Sequence, residues 1–146
     1  MKRWLWITCL LLTCMLEAGV AQAADLRILV EGLVNQRGVV RIALFTQPDQ
    51  FPSGDAVRRI NVETPIAAKK GIIVTNLPRG TYAIAVFHDA DGDDVFARNF
   101  LGIPIESYGF SRNAEPGWFS APEFDDAAFR LSENARRKMT IRMQTW

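Results

Sequence analysis

The densest chemistry in the sequence is the run Asp89-Ala90-Asp91-Gly92-Asp93-Asp94, in which acids stand at alternate positions. That is the spacing by which one tight loop wraps several hard oxygen ligands round Ca²⁺. Four carboxylates so close repel one another unless a cation, a lysine or an arginine neutralises them, or water screens them. Asp89, Asp91 and Asp93 are therefore candidate ligands, for a Ca²⁺ site in the weak extracellular range of about 10⁻⁴ to 10⁻³ M. An EF-hand loop counted from Asp89 would need glycine at position 94 and a bidentate glutamate at position 100, where this chain carries Asp94 and Phe100. The same residues equally suit an Asp/Gly-rich turn open to water, and both readings stand.

His88, the only histidine, precedes the acidic run. It can serve as a ligand, a general base or a proton switch, or simply hydrogen-bond to a loop carbonyl or carboxylate. Farther on, Glu106, Tyr108, Phe110, Arg112, Trp118 and Phe119 bring acidic, basic and aromatic groups into one connection. His88 with Asp89 or Glu106 would be the acid–base set of an enzyme of unspecified reaction. His88, Glu106, Tyr108 and Trp118 are candidate ligand-binding residues, and Tyr108 with Trp118 would form the platform of a carbohydrate-binding module, since flat rings accept the apolar face of a pyranose. The alternative is that the rings form the underside of a loop packed on the core. A glycosidase pair of Glu106 with a loop aspartate depends on a separation that sequence does not give. Ser111, in Gly109-Phe110-Ser111-Arg112-Asn113, lacks the second glycine of a nucleophile elbow, which argues against a serine hydrolase.

These residues need a frame, and short apolar or alternating runs punctuated by Gly, Pro, Asn and Asp predict an all-β one: a sandwich or barrel. Leu26, Ile28 and Val30 alternate with Arg27, Leu29 and Glu31; Asn35-Gln36-Arg37-Gly38 supplies a turn; Val39 to Thr46 returns, which predicts a hairpin. Gln47 to Asp55 reads as a surface loop, and a weak strand is expected from Arg58 to Glu63. Gly71 to Leu77 and Thr81 to His88 read as strands, the second apolar on both faces and therefore central, and Met139, Ile141 and Met143 mark a half-buried closing strand. The stretch Asp89 to Phe124 is too long to be an ordinary connection and is where a site belongs.

Lys2 and Arg3, the apolar run Trp4 to Leu16, and Ala21-Gln22-Ala23 follow the order of a cleavable secretory signal over residues 1–23, leaving residues 24–146 as one domain. The apolar run is shorter than the roughly 20 residues that span a bilayer, so no transmembrane span is expected in the mature chain, and its place is the periplasm or the exterior. Leu11-Leu12-Thr13-Cys14 loosely resembles a lipid-attachment box, with Thr13 a poor residue before the cysteine. Cys9 and Cys14 are the only cysteines and both lie in the leader, so a mature chain has no disulfide, no thiol nucleophile and no Cys/His zinc site. Lys2, Arg3 and Glu17 leave with the leader, and the remaining charge is near zero, which gives no reason to expect nucleic acid as a partner. Arg136-Arg137-Lys138 reads as a solvated basic turn that can touch anionic envelope components.

Leu77-Pro78-Arg79-Gly80-Thr81-Tyr82 with the strand after it, Phe100-Leu101-Gly102-Ile103-Pro104-Ile105-Glu106-Ser107-Tyr108-Gly109-Phe110-Ser111, and Pro122-Glu123-Phe124-Asp125-Asp126-Ala127 together resemble the exported bacterial family called domain of unknown function 2141. The resemblance implies an immunoglobulin-like or prealbumin-like antiparallel β-sandwich, similar to transthyretin-like and carboxypeptidase-regulatory domains, and no established activity. The family pattern carries glycine at the position of Asp94 and an acid at that of Ala97, so this chain departs from it twice in the acidic loop. With no convincing catalytic set, the expectation is an exported, non-catalytic sandwich module that binds an envelope component or small ligand, with Ca²⁺ as the one cofactor to test.

Overall fold

The computed structural model describes residues 23–118 and 120–145. All of the predicted leader except Ala23, including Cys14, lies outside them, as do Phe119 and Trp146. Among the described residues eight strands form two layers: β1 (Ala24–Glu31), β2 (Val39–Phe45), β3 (Arg58–Glu63), β4 (Ile72–Leu77), β5 (Gly80–Asp89), β6 (Tyr108–Phe110), β7 (Phe129–Leu131) and β8 (Arg136–Arg142). One sheet runs β4-β1-β8; the other runs β3-β2-β5-β6, with β7 paired to the first residues of β5. All pairings are antiparallel except β1 with β8, which is parallel.

Leu26, Ile28 and Val30 of β1 meet Val40, Ile42 and Leu44 of β2 and Ile84 and Val86 of β5 in the buried layer between the sheets. The expected β1–β2 hairpin is therefore absent. Both edges of β1 are taken, by β4 and β8, and the chain crosses from one layer to the other through Gly32 (φ +80°) and Gly38 (φ +72°). A turn signature between two alternating runs cannot distinguish a return alongside from a return across, because both bury the same alternate residues. The connection from β4 to β5 likewise changes layer, and Tyr82 fixes it by donating its hydroxyl proton to the carbonyl of Pro78 (2.8 Å). Burial raises the Tyr82 phenol above its ordinary value, with the charge of Arg58 opposing, and this keeps the group a donor.

Between β3 and β4 runs α1 (Thr64–Lys70), a helix absent from the sequence reading. It has a proline in its first turn and two lysines in its last, and it inserts Ala67 into the core while packing on β1, β2 and β3. The opposite side of the sandwich is stitched shut, since Tyr108 and Gln144 exchange main-chain hydrogen bonds (2.9 and 2.6 Å). Gly109 permits that approach, because a β-carbon there would stand 2.7 Å from the carbonyl oxygen of Arg142.

A second apolar cluster covers the outer face of the larger sheet, built from Phe45, Ala83, Tyr108, Phe110, Phe124 and Ala127, with Phe51, Phe87 and Phe96 packed on it. These rings meet largely edge to face, as at Phe51 with Phe110 and Phe124. The long connection after β5 thus folds back as a cover, tied down by α2 (Phe124–Ala127) and a 3₁₀ turn at Ser111–Asn113. Ser111, fully buried, accepts from the Ile84 N–H (2.9 Å) and donates to the Ala127 carbonyl (2.6 Å), and Asn113 accepts from the Arg142 N–H (2.9 Å). The Gly109-to-Asn113 motif is a structural clasp.

Candidate functional site

The acidic run leaves the sheet at the end of β5. Because Phe87 stands opposite Tyr108, the ladder continues through His88 and Ser107, whose N–H and carbonyl bond at 2.9 Å, and delivers Glu106 to the side of Asp89. On the other side β2 places Val39 opposite Asp89, and Gly38 packs so close that a β-carbon on it would overlap the Asp89 carbonyl oxygen at 2.0 Å. Two strands and a glycine thus fix the base of the loop.

Asp89 is fully buried and fully engaged. Its Oδ1 accepts from the N–H groups of Gly92 (2.7 Å) and Asp93 (3.2 Å), and its Oδ2 accepts from the Asp94 N–H (3.1 Å) and from Nε of Arg41 (2.7 Å). Burial alone would raise this carboxyl. The Arg41 hydrogen bond, the N–H groups of Gly92 and Asp94 and the Arg41 charge outweigh it and hold the group below its ordinary 3.8. The second guanidinium nitrogen of Arg41 pairs with Asp94, and its Nη1 lies 2.9 Å from the Asn61 amide oxygen when that amide is oriented to satisfy both neighbours. Asp94 itself takes a left-handed backbone (φ +67°), the geometry that glycine adopts without cost, so the pairing with Arg41 offsets the strain of a larger residue there.

Of the predicted ligands, Asp89 and Asp91 come together and Asp93 does not join them. The third carboxylate is Glu106, and among the described residues each of Asp89, Asp91 and Glu106 offers an oxygen within 4.8 Å of the others. Asp93 instead accepts the Val95 N–H (2.8 Å) and holds the loop. Glu106 accepts from the N–H groups of Ala97 (3.1 Å) and Ala90, yet burial first, and the charges of Asp89 and Asp91 second, raise its carboxyl above the ordinary 4.5.

His88 is 2% exposed and its Nε2 sits 2.8 Å from the carbonyl oxygen of Arg37, as a strand-end histidine tied to main chain does. The proposed pair of Tyr108 and Trp118 is not a platform. Tyr108 is buried in the cluster over the sheet, whereas Trp118 is 86% exposed, because β6 turns Tyr108 onto the sheet while Trp118 stands in the loop beyond the 3₁₀ turn. Arg41 is the residue the sequence reading passed over. No local pattern marks it, because Arg41 stands at an alternate position of β2 where a charge is ordinary, and only the pairing of β2 with β5 brings it to Asp89.

The chain is thus a two-layer β-sandwich with one outer face roofed by an aromatic connection and with an acidic loop organised by Arg41 at the end of β5. Over residues 28–140 the chain matches the family described as "Uncharacterized protein conserved in bacteria (DUF2141)", and it belongs to that family. No curated protein and no solved structure matches it.

Proposed function

We propose that the chain is exported through the leader at residues 1–23 and acts, as residues 24–146, as a non-catalytic β-sandwich module of the cell envelope. The observation that carries this reading is that Asp89 and His88 are committed to holding the fold: all four hydrogen bonds to Asp89 come from loop main chain or Arg41, and His88 Nε2 is engaged by a backbone carbonyl. A general base needs a free lone pair facing substrate, and a side chain 0% or 2% exposed does not offer one. The test is fractionation of cells producing the full chain, with intact mass of the recovered protein. A periplasmic or envelope product beginning at Ala24 supports the reading, and a cytoplasmic, uncleaved product or a lipid-modified Cys14 overturns it.

A second reading, a weak Ca²⁺ loop, is favoured by the convergence of Asp89, Asp91 and Glu106. Since the hydrogen bonds to Asp89 already occupy its oxygens, Asp91 and Glu106 would be the principal donors, in keeping with a millimolar rather than a micromolar site. Free Ca²⁺ at ten times the Kd would add about 1.4 kcal/mol to stability. A rise in Tm that disappears in the Asp91→Ala, Glu106→Gln variant supports the site, and equal melts with Ca²⁺ and with chelator remove it.

A further inference from the structure

Beyond the acidic run the chain rises into a finger, Val95 to Ile105, whose outer side chains are apolar and unprotected. Phe100 is 95% exposed, and Val95, Leu101, Ile103 and Ile105 are exposed with it. Between Asn99 and Ile105 no side chain is charged. Contiguous apolar exposure of this kind on a soluble domain marks an interaction surface.

The main chain of the finger is paired well enough to suit an apolar medium. Arg98 and Pro104 pair as an isolated antiparallel bridge; the N–H of Asn99 bonds to Ile103 O (2.8 Å), that of Gly102 to Asn99 O (2.9 Å) and that of Ile105 to Ala97 O (3.0 Å). The Asn99 side chain accepts from the N–H groups of Leu101 (2.9 Å) and Ile103 (3.0 Å), Arg98 donates to Gly102 O (3.0 Å), and Glu106 accepts the Ala97 N–H. Water-exposed turns make such bonds too, as Gln50 does with Gly54 and Asp55, so the pairing permits an apolar surrounding without requiring one. In an apolar phase unsatisfied amides are costly, so internal pairing is what permits entry. Arg98 sets one cation beside this apolar surface, its guanidinium 5.1 Å from the centroid of Phe96 and its Nη1 on the Gly102 carbonyl, with an apolar stem behind the charge.

We propose that residues 95–105 insert into the interfacial layer of a phospholipid bilayer, with Phe100 and Leu101 leading and Arg98 meeting the lipid phosphate. The proposal rests on the envelope reading above, but plain vesicles test the finger without reference to export. Protein made from the full chain and purified as recovered is mixed with phosphatidylcholine vesicles, with and without phosphatidylglycerol, and partitioning is read by co-sedimentation. Phe100→Ser with Leu101→Ser lowers the partition coefficient at least tenfold at an unchanged Tm, since both side chains stand in solvent. Trp118→Ser, which removes another exposed ring, leaves partitioning as it was, and Arg98→Gln weakens binding more on the phosphatidylglycerol vesicles. Failure of the wild type to partition, equal partitioning of the double variant, or self-association that the double variant abolishes in place of lipid binding would each overturn the proposal.

Discussion

Nε of Arg41 and Oδ2 of Asp89 lie 2.7 Å apart, one on β2 and one at the end of β5, and this contact anchors the loop that carries Asp91 and Asp93. Asp89 has no exposed surface, so its charge exists only because Arg41 and three N–H groups hold it.

Removing one member of that set leaves a buried charge or several buried donors unpaired. Asp89→Ala costs about 3 kcal/mol, measured by denaturant unfolding, and Arg41→Met costs a similar amount. The pH dependence has a defined sign. A carboxyl whose folded pKa lies below its ordinary 3.8 contributes stability that is present above that value and lost as pH falls through the folded pKa. The unfolding free energy of Asp89→Asn should therefore change less than that of the wild type on acidification below 3.8, and parallel profiles would refute the assignment.

Glu106 has the opposite sign. Its folded pKa lies above 4.5, so the native state binds that proton more tightly, and the contribution of Glu106 to stability declines as pH rises from 4.5 through the folded value. Glu106→Gln removes the decline, so the variant gains on the wild type across that window, and a stability difference independent of pH would contradict the crowding of the three carboxylates.

Ser111→Ala strips an acceptor from the Ile84 amide and a donor from the Ala127 carbonyl, both in a dry environment. A loss of about 2 kcal/mol follows from leaving them unsatisfied, and hydrogen exchange at the Ile84 amide should quicken most. An unaltered Tm would mean the clasp is dispensable.

Gly109→Ala puts a methyl against the Arg142 carbonyl oxygen and the Ile141 side chain, 2.8 Å from its Cγ2. Since β8 must give way, destabilisation of about 1 to 3 kcal/mol is expected, with the Tyr108–Gln144 amides losing exchange protection first.

Much of the frame was legible because strand alternation is local. The bounds of β3, the central place of β5 and the burial of Met139, Ile141 and Met143 follow from neighbouring residue types. The layer crossing after β1 was not legible, for it depends on which strands occupy the edges of β1. Nor was α1, because the seven residues of Thr64–Lys70 are too few to show a helical period, although Pro65, Lys69 and Lys70 are terminal signals. At the site, the crowding of Asp89 and Asp91 could be read from spacing. The exchange of Asp93 for Glu106 could not, since Glu106 arrives through the β5–β6 register, and Arg41 comes from a strand far away in sequence.

On the proposed function no group at the loop performs catalysis and the module works by binding. The most direct measurement is saturable co-sedimentation of the processed protein with isolated cell envelopes, comparing the wild type with His88→Gln and with Glu106→Gln. Binding that persists in both folded variants is the predicted result. Failure of the wild type to bind, together with turnover of an envelope-derived substrate that either substitution abolishes, would contradict it.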